Sequence, residues 1–348
     1  MIAPTDIYRG TAGHAVLEVT QVAGESAVTS AFATSPLKLL TPRTRGRSVW
    51  AFASSFGGGL VAGDQTRLDL RLGASARCFV GTQASTKIYR NPSCRPCGHV
   101  TQATLEAGSF LVFAPDPAQP FAHSTYSQRQ EFHLGPDAGL VLVDWFCSGR
   151  VARGERWAFQ RFQSRNEVWS IQKRTSRGVP ELVPHLDPPP LREEIVSSAL
   201  AETAPIAPLP AGEGSGEGEA TDFDAVQRIE KRAAQTIRRG RPLFLDSLLL
   251  DSAEGSLESR HRTGRFNCFA LLLVLGAPVR RIAAQILESV SGQPVPRGGT
   301  VVFSASPAQD GGVFRVAGNR VEEVARELHR HLLPVAELLG DDPFARKW

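Results

Sequence analysis

Through its first 175 residues the chain sets short apolar runs between turn residues. "AVLEVTQV", "AVTSAFAT", "VWAFASS", "TRLDLRL", "ARCFVGT", "HVTQATL", "SFLVFAP", "QEFHL", "GLVLVDWF", "RWAFQRFQS" and "EVWSIQK" are rich in Val, Phe, Thr and Trp and partly alternate apolar with polar positions. That two-residue period predicts strands. A coarse echo links three segments, "LRLGASARCFV", "TLEAGSFLVF" and "FHLGPDAGLVLV", each with a glycine-bearing turn at Gly73, Gly108 or Gly135. Two extended runs joined in this way predict successive hairpins, and hence a stack or sandwich of many antiparallel strands. This half has no long crossover helix of the kind a βαβ unit requires.

The pattern changes near Pro180. "PHLDPPPLREE" and the tract at roughly 203–220, "ETAPIAPLPAGEGSGEGEA", are too rich in proline, glycine and acid to build a core. Residues 222–239 carry apolar or small residues at helical spacing and predict a helix. "RPLFLDSLLLD" returns to strand, "RRIAAQILESV" reads as a helix, and "GGTVVFSAS" with "GGVFRVAG" as a late pair of strands. The last clear helix bears an apolar stripe, Val321, Val324, Ala325, Leu328 and Leu332, that reads as packing on its own domain, with a partner helix as the alternative; Pro334 bends or restarts it.

Length and charge narrow the class. A chain of 348 residues fits one or two domains with a real core. The net charge of +4 is scattered, which permits an acidic partner surface without demanding nucleic acid. No run of 18 apolar residues predicts a membrane span, and no basic segment precedes an apolar run at the start. The five cysteines read as reduced thiols of a cytoplasmic protein.

"SFGGGLVAGDQTRLDL" is the segment where chemistry is first to be sought. Gly58 and Gly63 have P-loop spacing, but Asp64 stands where the lysine must be, and a strand follows instead of a helix. Gly57, Gly58, Gly59 and Gly63 therefore read as structural turns or as a partner contact. "GTQASTKIYR" then crowds Gln83, Ser85, Thr86, Lys87 and Tyr89 at a strand end. Ser85 and Lys87 share a face only if extended, and no oxyanion donor accompanies them. In "CRPCGH", Cys94, Cys97 and His99 have the spacing of half a zinc site, but there is no second CxxC to complete it. The arginines of "SGRVARGERWAF", among them Arg150, either grip an acidic partner or solvate a face. The residues alone thus describe a binding or scaffolding protein without a recognisable active site. A hydrolase using Ser85 or Cys94, or a β-rich interaction scaffold unrelated to metal, are the alternatives.

"SPLKLLTP", "SSFGGGLVAGD" and "TQASTKIYR" resemble, in order and spacing, the hallmark run of the UreD/UreH family of urease accessory proteins. "GSFLVFAPDPAQPFAHSTY", the Gly149, Arg150, Gly154 and Glu155 of "GLVLVDWFCSGRVARGERWAF", and the final "DDPFARKW" are similar to later motifs of that family. The resemblance covers most of the chain and implies one domain over 1–348. Residues 181–240 then read as an insertion between the "EVW" and "PLFLD" strands. The implied fold is mainly β, a large antiparallel assembly like a two-layer β-helical stack, with a few helices mostly in the C-terminal third. The implied role is a non-enzymatic chaperone of urease maturation that binds apo-urease and a UreF-like protein. Through them it meets a UreG-like GTPase, and it handles nickel transiently with no tightly bound cofactor. Asp64, Gln83, Thr86, Lys87, Tyr89, Arg150 and Glu155 are the implied interface or nickel-route residues. The last helix and the tail with Arg346 and Lys347 are the implied accessory-protein interface.

Overall fold

The computed structural model describes residues 13–44, 46–91, 95–171, 239–291 and 298–345. The expected helix at 222–239 lies outside them save for its last residue, as do the 203–220 tract, Cys94, Arg346 and Lys347.

A hairpin of β1 (His14–Val22) and β2 (Glu25–Ala33) and a short β3 (Leu37–Leu40) precede the main body. From there the chain coils. β4 (Val49–Ser55), β5 (Gly59–Leu60) and β6 (Gln65–Leu72) make one turn. β7 (Arg77–Thr82), β8 (Thr86–Ile88) and β9 (Cys97–Leu105) make the next. β10 (Phe110–Phe113), β11 (Ala118–Pro120) and β12 (Thr125–Leu134) make a third, and β13 (Gly139–Cys147) with β14 (Arg161–Ile171) follow as a fourth. β15 (Arg239–Asp251), β16 (Cys268–Gly276), β17 (Val301–Ala308) and β18 (Gly311–Gly318) complete the sheets. The helices among the described residues are α1 (Arg280–Val290), α2 (Val321–Leu332) and the short α3 (Val335–Leu339).

The mainly β, two-layer, helix-poor architecture is as the resemblance implies, and the pairing is mixed. Like strands of successive turns stack in parallel: β6–β9–β12–β14 on one broad side, β4–β7–β10–β13 on the other, and β5–β8–β11 on a narrow third side. β1 extends the first stack in parallel with β6, and antiparallel strands complete both sides, giving one sheet ordered β15-β14-β12-β9-β6-β1-β2 and a second ordered β17-β18-β16-β13-β10-β7-β4-β3.

The expected hairpins at Gly73, Gly108 and Gly135 are corners. β6 and β7 lie in different sheets, as do β9 and β10, and β12 and β13. Each corner follows a stacked leucine, Leu72, Leu105 or Leu134, and places one residue at positive φ three positions later: Ser75 at 59°, Gly108 at 66° and Asp137 at 56°. Corners brace one another, since the Ser75 N–H donates to the Ala107 carbonyl and the Gly108 N–H to the Pro136 carbonyl, both at 2.9 Å. A turn of this length crosses the roughly 10 Å between packed layers, so each strand pairs with its counterpart one coil later and not with its chain neighbour.

Three cores result. Between the sheets, near the corners, Leu70, Leu105, Phe132 and Val168 meet Val80, Leu111, Leu142 and Leu273. On the outer face of the second sheet, Phe79, Val141, Phe314 and Val316 pack under α1, α2 and α3, where Val324, Ala325, Leu328 and Leu332 are buried. The last helix therefore packs on its own domain, and Pro334 starts α3 as a separate helix. Under the narrow side, Leu60, Ile88, Tyr126, Phe146 and Phe162 form the third core.

Candidate functional site

The narrow side collects the glycine-rich and arginine-bearing motifs. Gly57 and Gly58 have φ of 80° and 71°, the left-handed region that favours glycine. Gly59 is extended, but a Cβ there would stand 2.2 Å from the Lys87 carbonyl oxygen, so β5 lies against β8 only because this side chain is absent. The freed Gly57 carbonyl accepts a 2.9 Å hydrogen bond from the Tyr89 hydroxyl. Tyr89 meets Phe121 edge to face, with centroids 5.3 Å apart. The Arg150 guanidinium lies 4.0 Å from the Phe121 ring centroid. Arg150 Nε also donates to Glu155 at 2.8 Å, Arg90 Nη2 donates to the same carboxylate at 3.3 Å, and the Ala122 N–H donates at 3.2 Å. Gly154 closes this turn in the left-handed conformation.

The Arg150 hydrogen bond holds the Glu155 carboxyl down to about 2 from an ordinary 4.5, against the burial that opposes it. A depressed carboxyl contributes stability above its unfolded value and loses it as pH falls through its folded value. Glu155→Gln is therefore expected to lower the thermal midpoint at pH 7, with the gap from the parent narrowing as pH drops from 4.5 toward 2. Melting curves at pH 7, 4 and 3 check this; an unchanging gap would remove the ion pair from the account.

Of the residues expected from sequence, the fold brings Gly57, Tyr89, Arg150 and Glu155 into one cluster. Lys87 lies beside it on β8, exposed and in register with Gly59 and Gln119. Asp64 serves a turn, its carboxylate accepting from the Val61 N–H at 2.9 Å and its carbonyl from the Gly98 N–H at 2.8 Å. Gln83 is exposed, and its backbone N–H donates to the Ala53 carbonyl. Thr86 lines the interior instead.

That interior holds the feature the sequence reading missed. Two rows of polar side chains cross the inner face of the first sheet: Thr66, His99, Gln128 and Ser164, then Thr101, Gln130, Asn166 and Asp246. The Asp144 carboxylate faces them from the second sheet. It accepts from Gln128 Nε2 at 2.6 Å, Ser164 Oγ at 2.6 Å and Asn166 Nδ2 at 2.7 Å. Burial pushes Asp144 above the ordinary carboxyl range despite these three donors, and the nearby Asp246 adds to the rise. His99 Nδ1 lies 2.8 Å from the Thr66 hydroxyl and Nε2 lies 3.1 Å from the Thr101 hydroxyl. Burial lowers its pKa to about 4, so its imidazole is neutral near pH 7.

Asp144 is common to two cavities. One, of about 110 Å³, is lined by Thr82, Thr86, His99, Tyr126 and Gln128 among others. The second, of about 490 Å³, is lined by Asp246 and Ser247 of β15 together with Ser304 and Arg315. A sequence signal for this existed: Asp144 is the one charge inside the apolar run "GLVLVDWF". Cys97 and His99 are two residues apart on β9; burial pushes the Cys97 thiol up to about 12, and Asp64 adds to the shift. No group of three metal-ligating side chains forms among the described residues. Ser85 lines the first cavity while Lys87 is exposed.

A family model described as UreD urease accessory protein matches residues 11–181 and 215–348. Similar proteins include urease accessory protein UreD of Sorangium cellulosum, 39% identical over 97% of this chain and 85% of the relative. That of Anaeromyxobacter sp. strain Fw109-5 is 31% identical over 96% and 89%. Urease accessory protein D of Oryza sativa subsp. indica is 25% identical over 99% of each.

Proposed function

The chain belongs to the UreD urease accessory protein family, and on that premise we propose that it supports nickel insertion into apo-urease as a non-catalytic chaperone. It binds apo-urease and a UreF-like accessory protein in the cytoplasm, and through them a UreG-like GTPase. The observation that carries this reading is the polar interior converging on Asp144, the residue common to both cavities. A path for a divalent cargo needs donors that hold it weakly and exchange, because a full cage would keep the ion. Hydroxyls, amides, a neutral imidazole and the separate carboxylates of Asp144 and Asp246 are such donors, and the surrounding sheets keep competing cytosolic ligands away.

Asp144→Asn keeps the shape while replacing one carboxylate oxygen by an amide nitrogen. It is expected to lower the nickel content of urease matured in its presence by fivefold or more, with partner capture unchanged. Metal analysis of urease purified after co-expression checks both. Parent-level nickel with the variant sinks the interior route, and full nickel without the chain sinks the chaperone role.

A further inference from the structure

The outer surface of the narrow side combines open cations with exposed apolar groups. Lys38, Lys87, Arg90, Arg95 and Arg153 are all exposed. Phe56, Val61 and Val151 are 56%, 52% and 49% exposed. Contacts link several of these residues along the narrow side. The Lys38 ammonium stands 4.9 Å from the Phe56 ring centroid. The Lys87 ammonium lies 3.9 Å from where a Gly58 Cβ would be, and the Arg95 guanidinium carbon lies 3.4 Å from the same position at Gly63. Arg90 joins Glu155, which joins Arg150 next to Val151.

The carboxylates on this side are already engaged. Glu155 is buried under Arg150, Arg90 and the Ala122 N–H, Asp64 accepts from the Val61 N–H, and Asp116 accepts from the Thr82 hydroxyl at 2.9 Å. Among the described residues, the exposed ammonium and guanidinium groups of Lys38, Lys87, Arg95 and Arg153 enter no ion pair. At the centre, Gly57 has no neighbour within 4 Å of a would-be Cβ. The floor there is bare backbone next to an aromatic ring, where an incoming side chain can seat. Solvent-exposed charges of one sign around an apolar centre steer and orient an oppositely charged protein.

We infer that this narrow side is a docking surface for an acidic protein partner, whose carboxylates meet Lys38, Lys87 and Arg153 while an apolar side chain covers Phe56 and the Gly57–Gly58 backbone. The inference rests on the maturation reading and locates one of its contacts: the surface is separate from the interior, so an ion could pass inside while a partner holds the outside. Charge complementarity selects the partner's chemistry, and the apolar centre selects a folded protein surface over a polyanion, which would need cations alone.

The test uses the full chain as parent, Lys38→Glu/Lys87→Glu, and Lys38→Arg/Lys87→Arg. Purified cognate apo-urease and the cognate UreF-like protein are offered separately as probes, at low and at high salt, and urease activation is assayed alongside. The expected result is that the parent binds one of the probes, less tightly in high salt. The Glu pair weakens that binding tenfold or more without a change in melting temperature, and the Arg pair retains it. Binding by the Glu pair equal to the parent overturns this surface while leaving the maturation reading standing, as does activation by a parent that binds neither probe. Loss by the Glu pair of binding to anionic vesicles or RNA, with protein capture intact, also overturns it. No capture and no activation overturn both.

Discussion

Gly59→Ala is expected to destabilise the protein by about 3 kcal/mol, the upper part of the range for forcing a methyl into occupied space. The added Cβ would stand 2.2 Å from the Lys87 carbonyl oxygen and 2.9 Å from its carbonyl carbon. Neither atom can swing aside as a side-chain tip can, because Lys87 is held in register between Gly59 and Gln119. β5 must lift from β8, which strains the 2.9 Å bonds from the Tyr89 N–H to the Leu60 carbonyl and from the Tyr89 hydroxyl to the Gly57 carbonyl. Gly57→Ala is the informative companion. It meets no atom within 4 Å but must hold a φ of 80°, a left-handed backbone that costs a residue with a Cβ about 1 kcal/mol. Urea unfolding of the two variants checks the order: a Gly59→Ala midpoint no lower than that of Gly57→Ala would refute the close approach of β5 to β8.

Phe79→Ala is expected to cost about 4 kcal/mol, within the range for removing a fully buried phenyl ring. Phe79 has no exposed area and meets Trp50, Phe52 and Phe344 edge to face, with centroids 6.2, 5.7 and 5.5 Å away. These partners come from β4 and from the segment after α3, so little can move in to fill the space. The expected readout beyond the unfolding midpoint is a loss of near-ultraviolet circular dichroism from the Trp50 environment. Phe79→Leu, which keeps most of the volume, is expected to lose less than half as much. A loss below 1 kcal/mol for the alanine variant would mean that the cluster does not act as one packed unit. Phe344 gives the closing motif "DDPFARKW" a physical meaning: its ring packs edge to face on Phe79.

Strand positions were legible because they rest on a local period. "RPLFLDSLLLD" and the pair "GGTVVFSAS" and "GGVFRVAG" form strands, and "RVEEVARELHRHLL" forms a helix with its stripe inward. The glycine motif was legible as a set of turns, though its four glycines are needed for two reasons. Gly57, Gly58 and Gly63 supply positive φ, and Gly59 supplies the absence of a side chain. Strand partners were not legible. A corner and a hairpin turn use the same residue types, and only the layer that each flanking strand joins separates them.

By itself the sequence determined the mainly β class, the run of short strands, the C-terminal helices and, through ordered motifs along most of the chain, membership of the urease accessory family. These follow from local periodicity and from residue identity, both of which are written in the order of the chain. The tertiary structure alone decided that Tyr89, Phe121, Arg150 and Glu155 form one cluster, although 66 positions of chain separate its ends by about two turns of the coil. It alone decided that His99, Gln128, Ser164 and Asp144 face one interior. The physical reason is stacking: parallel coils place residues from successive turns side by side, so the register between turns, and not spacing along the chain, chooses which polar groups meet.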